Sequence, residues 1–106
     1  MGVEWELAIP GASEVKGGEL GLKLASQAWT AGKAGSRMAN LLYHFTAHGK
    51  ALGYRNAVSY TLGGLVRATP RNYVRSNNAV RGIVRKIYQR SSRVIIKQGK
   101  RLVTYY

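Results

Sequence analysis

From Val3 the chain reads VEWELAIP, in which Val3, Trp5 and Leu7 alternate with Glu4, Glu6 and Ala8. That period of two predicts a short strand or extended arm, ended by Pro10-Gly11. The pattern then changes. From residue 19 to about residue 48 the small residues Gly21, Ala25, Ala28, Gly32, Gly35 and Ala39 recur at spacings of four and three. On a helix they fall on one stripe, so a single long helix is predicted, stopped by Gly49 or Gly53, whose smooth stripe packs either against the protein's own core or, as a subunit-packing face, against another copy. Interior glycines weaken such a helix by about 1 kcal/mol each relative to alanine, so it needs tertiary or quaternary support.

Residues 59–67 (SYTLGGLVR) read as a short helix or a strand and turn, with Gly63-Gly64 weakening the assignment and Thr69-Pro70 ending it. Between residues 78 and 90, Val80, Ile83, Val84, Ile87 and Tyr88 stand at i, i+3, i+4, i+7 and i+8. This is the apolar face of an amphipathic helix, with Ser76, Asn77 or Asn78 available as N-cap and Tyr88 placed in the core with its hydroxyl at the rim. The last stretch, RVIIK and KRLVTYY about Gln98-Gly99, reads as a β-hairpin in which Gly99 supplies a positive φ. The pattern as a whole predicts a mostly α fold with an N-terminal extended arm and a short C-terminal hairpin. It divides one 106-residue domain into an acidic arm (1–18), a helical packing segment (19–53) and a basic segment (54–106).

Charge sharpens this division. All four carboxylates, Glu4, Glu6, Glu14 and Glu19, lie in the first nineteen residues, aspartate is absent, and sixteen of the seventeen Lys and Arg follow them. A segment with no acid cannot neutralise itself by internal ion pairs and calls for an external anion, of which a phosphate backbone is the most abundant. Eleven of these cations form the expected nucleic-acid-binding set: Arg67, Arg71, Arg75, Arg81, Arg85, Lys86, Arg90, Arg93, Lys97, Lys100 and Arg101. Arginine dominates, as suits bidentate phosphate contact, and Tyr73, Tyr88, Tyr105 and Tyr106 are interleaved for phosphate hydrogen bonds or base stacking.

The same charge distribution argues against catalysis. Metal-assisted and general acid-base chemistry use paired carboxylates, and here they are confined to one end of the chain. His44 and His48 have the i, i+4 spacing of a shared metal, but no Cys or Asp exists to complete a site, so a structural or phosphate-facing role is expected. The thirteen glycines form neither a G-x-x-x-x-G-K-[ST] nor a G-x-G-x-x-G cradle, so no cofactor is expected. No run of 18 uncharged apolar residues could span a bilayer, and the N-terminus lacks the features of a signal peptide.

The first functional expectation is therefore a structural protein that assembles on DNA or RNA: a viral coat or nucleocapsid protein, a packaging protein, or a ribosome-type subunit. The order of an acidic arm, an Ala/Gly-rich helix and a basic segment resembles the layout of helical virus coat proteins. The alternative is a DNA-binding regulator, because a short helix, a turn at residues 68–72, a basic helix at 78–90 and a basic hairpin are similar in order to a winged-helix module. In that arrangement residues 78–90 would be the recognition helix and Gln98-Gly99 the wing tip.

Overall fold

A computed structural model describes residues 18–78 and 82–106; the arm expected at residues 3–10 lies outside the described residues. The fold is mixed α/β, not mostly α: three α-helices precede a four-stranded antiparallel sheet. The helices are α1 (Gly18–Ser26), α2 (Arg37–His44) and α3 (Ala57–Arg67), and the strands are β1 (Tyr73–Asn78), β2 (Val84–Arg90), β3 (Arg93–Gln98) and β4 (Arg101–Tyr105). The sheet is a meander in the order β1-β2-β3-β4.

The single helix expected over residues 19–48 is broken into two. α1 ends at Ser26, and beyond it Gly32 and Gly35 take φ of 55° and 93°, a left-handed conformation that no continuous right-handed helix to Arg37 could contain. Between the two helices the backbone pairs with a strand far along the chain: Thr30 N–H donates to Leu102 O at 2.8 Å and Leu102 N–H to Ala28 O at 2.6 Å. The six small residues consequently do not form one stripe. Gly21 lies 3.7 Å, from the position a Cβ would take, to Val58 on α3, and Ala25 and Ala28 pack on the protein's own core. Gly32 and Gly35 are turn residues, and only Ala39 returns to a helix. The expected subunit-packing face is thus dispersed over two helices and a turn.

Local signals define the helix starts. Ser36 caps α2 by accepting the N–H of Ala39 at 3.0 Å, and Asn56 caps α3 by accepting that of Ser59 at 2.8 Å. α2 runs on into a π turn, Phe45–Gly49, in which Lys50 N–H reaches back to Phe45 O at 3.1 Å. Gly63-Gly64, which weakened the reading of α3, are seats for tyrosine rings. A Cβ on Gly63 would run into the Tyr54 hydroxyl, and one on Gly64 would lie 3.1 Å from Tyr105 Cδ2.

The helix expected over residues 78–90 is a strand over 84–90. Ile87 and Tyr88 fit the helical spacing, but as neighbours on a strand they point to opposite faces. Gly82, at φ 75°, stands inside the supposed helix, and Val80 and Arg81 lie outside the described residues. The winged-helix arrangement thereby loses its recognition helix. The C-terminal hairpin forms as expected, one residue out of phase at its tip. Gln98 pairs with Arg101, so the turn is Gly99-Lys100, with positive φ at Gly99 alone, the II′ pattern.

The β2–β3 turn repeats that geometry without a glycine. Arg90 pairs with Arg93 across Ser91-Ser92, and Ser91 is the only non-glycine at positive φ among the described residues, at 54°. A side chain there costs about 1–2 kcal/mol, part of which glycine's extra chain entropy offsets. Ser91→Gly is expected to raise stability by about 0.5–1 kcal/mol, seen as a higher urea midpoint with unchanged slope; a lower midpoint contradicts this account of the turn.

The core lies around β4. One sheet face carries the row Tyr73, Tyr88, Ile95 and Tyr105, placed side by side by the strand register. α3 covers this face: Tyr60 stacks on Tyr105 at 5.1 Å, and its hydroxyl donates to Tyr105 O. α2 reaches the opposite face of the same strand, where His44 Nδ1 and Thr104 Oγ1 are 3.1 Å apart. Trp29 closes the edge between them, fully buried, stacked on His44 at 5.5 Å and on Tyr60 at 5.6 Å. A continuous column of rings, His48, His44, Trp29, Tyr60 and Tyr105, therefore wraps the edge of β4.

Candidate nucleic-acid interface

The eleven cations expected to form one face are divided between elements by the strand pleat. Register places Lys86 opposite Lys97 and Arg90 opposite Arg93, on the face that also carries Tyr88 and Ile95. Arg75 and Arg85 point to the other face, since Arg75 pairs with Ile87 and Arg85 with Asn77. Lys100 is exposed at the hairpin tip and Arg71 in the short 3₁₀ turn Pro70–Asn72. Arg81 is outside the described residues.

Three of the set are tied into the fold. Arg67, in the last turn of α3, donates to Gly63 O at 3.1 Å and approaches the Tyr54 hydroxyl at 3.5 Å. Arg85 Nε reaches Gln98 Oε1 at 3.3 Å, and Arg101 Nε reaches Gln27 O at 3.2 Å. Each retains further N–H donors, since a guanidinium carries five. The helical spacing that grouped Arg81, Arg85 and Lys86 is replaced by cross-strand pairing, which joins residues eleven and three positions apart.

Cross-strand pairing gives the sheet its electrostatic character. Like charges directly opposite one another destabilise an antiparallel pair, normally relieved by a neighbouring acid. No Asp or Glu occurs anywhere after residue 19. Lys86–Lys97 and Arg90–Arg93 are therefore held together by the apolar row between them, Tyr88 and Ile95, against their own repulsion.

Two features were not visible in the sequence. A cavity of about 440 Å³ opens beside α2, lined among others by Lys33, Tyr43, His44 and Arg85, which come from three separate parts of the chain. The second is the hydroxyl pair Tyr54–Tyr105, at 2.7 Å, beside Arg67. Burial, the hydrogen bond to Tyr54 and Tyr54's own charge push the Tyr105 phenol up to about 12, opposed by Arg67 and Arg93. Tyr60 is raised further, chiefly by burial.

His44 behaves as a structural residue. Burial in the ring column, and secondarily the charge of His48, hold its pKa below the ordinary 6.5. The folded protein thus disfavours the charged form. The stabilisation is complete above the unfolded value of 6.5 and is lost as pH falls through the lower folded value. The urea midpoint is expected to drop between about pH 7 and about pH 5, and to drop less in His44→Gln; equal slopes would remove His44 as the cause.

Among the described residues no group of three His, Cys, Asp or Glu could hold a metal, and no helix is long and apolar enough to cross a membrane. Comparison with protein families, with curated proteins and with solved structures finds no match, so the functional argument rests on charge and geometry.

Proposed function

We propose that this chain is a structural nucleic-acid-binding protein that assembles on DNA or RNA, with its basic sheet and the adjoining turns against the phosphate backbone. The observation that carries the reading is the register of the sheet, which sets Lys86 against Lys97 and Arg90 against Arg93 in a chain with no acid beyond residue 19. The two pairs flank the row of Tyr88 and Ile95 on the face that α3 covers, with Lys86 and Arg90 exposed, and the repulsion within each pair falls when a polyanion meets it there. Lys100 and Arg71, both exposed, extend the basic surface to the hairpin tip and to the end of α3.

Self-association on the nucleic acid is the second part of the proposal. Leu20 and Leu24 on α1 and Leu62 and Val66 on α3 are about half exposed or more, at 64%, 66%, 49% and 64%, on two helices that touch one another. An apolar surface of this kind suits contact between copies once the charge is neutralised.

Salt dependence tests the reading. With six or more phosphate contacts, log K falls against log salt with a slope of about −0.9 per contact on duplex DNA. Affinity then drops by about 10³-fold or more between about 50 and 200 mM salt. Absent binding, or affinity indifferent to salt, refutes the proposal. Particle size measured with and without nucleic acid tests assembly, and an unchanged monomer refutes that part.

A further inference from the structure

We propose that Arg67 and Arg93, together with the hydroxyls of Tyr54 and Tyr105, form a site for a single phosphate group. The starting observation is Arg93 Nη1, which is enclosed by protein and meets no hydrogen-bond partner among the described residues. A buried donor left without an acceptor costs about 1–3 kcal/mol, more when charged, so such a group in a folded protein is normally matched by something.

The surroundings fit an oxyanion. Arg93 opens β3 on the same face as Ile95, whose cross-strand neighbour is Tyr105, so Arg93 stands diagonally from Tyr105. Arg67 approaches from α3 and contacts the Tyr54 hydroxyl at 3.5 Å, and that hydroxyl is 2.7 Å from Tyr105 Oη. Both guanidinium groups act on the Tyr105 phenol, partly offsetting the rise that burial causes. Only one of the two phenolic protons is used in the Tyr54–Tyr105 hydrogen bond, leaving the other to donate outward.

The chemical class follows from the donor count. Two planar forks and one hydroxyl present more donors than the two oxygens of a carboxylate occupy, whereas the several oxygens of a phosphate can accept from both forks. No side-chain carboxylate after residue 19 competes for them. A free phosphate ion and the backbone phosphate of a nucleic acid share this chemistry. The backbone source rests on the function proposed above; the phosphate site itself does not.

The test titrates the full-length protein with inorganic phosphate, and separately with acetate and chloride, at constant ionic strength. The readouts are the unfolding midpoint and the NMR signals of the arginine Nε–H groups. Phosphate is expected to raise the midpoint and to shift the Arg67 and Arg93 signals to saturation. Arg93→Gln is expected to weaken binding at least tenfold without lowering the phosphate-free midpoint. An equal response to acetate or chloride, or an undiminished phosphate response in Arg93→Gln, overturns the proposal. Should that variant fail to fold, Tyr54→Phe and Arg67→Gln carry the same comparison, with the wild-type NMR titration standing beside them.

A short oligonucleotide then separates the sources. Displacement of bound phosphate identifies a backbone phosphate as the ligand. Oligonucleotide binding without displacement overturns the backbone source and supports free phosphate. A protein that takes up phosphate but no oligonucleotide supports this site while refuting the proposed function.

Discussion

Trp29→Ala is expected to cost about 3–5 kcal/mol, enough to remove most of the stability of a domain that holds about 5–15 kcal/mol in all. Trp29 is fully buried and sits where three parts of the fold meet. Its ring lies between His44 of α2 and Tyr60 of α3, and its backbone bridges to Leu102 of β4. Its Nε1–H donates to Thr61 Oγ1 at 2.9 Å, and that hydroxyl donates in turn to Ala57 O at 2.8 Å. Truncation removes a large apolar side chain and leaves a cavity among rings that cannot close up, because α2, α3 and β4 fix them separately. Trp29→Phe, which keeps a ring but loses the N–H, is expected to cost less, with about 1 kcal/mol of the loss from the hydrogen bond. Urea unfolding followed by near-ultraviolet circular dichroism orders the three proteins. A Trp29→Ala variant as stable as wild type contradicts the central place given to this side chain.

The position of Trp29 also explains where sequence periodicity stopped being informative. The small-residue spacing from Gly21 to Ala39 satisfied a helix, but Thr30 and Ala28 bond to Leu102, more than seventy residues away, and no local pattern records so distant a contact. The terminal hairpin was legible because its period of two and its Gly99 turn are both local. Ile87 and Tyr88 were ambiguous, since adjacent apolar residues fit a helix face or two sides of a strand. Gly82 and the β-branched content of the segment were the signals that could have decided it. Gly63-Gly64 left residues 59–67 open between a helix and a strand with a turn, because the tertiary reason for them, room for the rings of Tyr54 and Tyr105 against α3, has no local signal. For the candidate interface, the residue types and the absence of acids were plain in the sequence. The grouping was not, because the expected helix over residues 78–90 put its cations on one helix surface, whereas the strand pleat pairs Lys86 with Lys97. The enclosure of Arg93 Nη1 is a property of the packed fold and had no sequence signal.

Lys86→Glu is expected to move stability and nucleic-acid affinity in opposite directions. In the free protein Lys86 faces Lys97 across β2 and β3, a like-charge pair that disfavours the fold. Reversing one member converts it into an opposite-charge pair worth about 0.2–1 kcal/mol, so the urea midpoint rises. On nucleic acid the same change removes one cationic contact and adds an anion facing phosphate. The salt slope is expected to fall by about 0.9 and affinity at moderate salt by about tenfold or more. Lys86→Glu with Lys97→Glu restores a like-charge pair of the other sign, so stability returns toward wild type while binding falls further. A structural role for these lysines would lower stability and affinity together, and a surface unconnected with nucleic acid would leave affinity untouched. Only a sheet whose register sacrifices stability to hold cations side by side for a polyanion gives a more stable protein that binds less well.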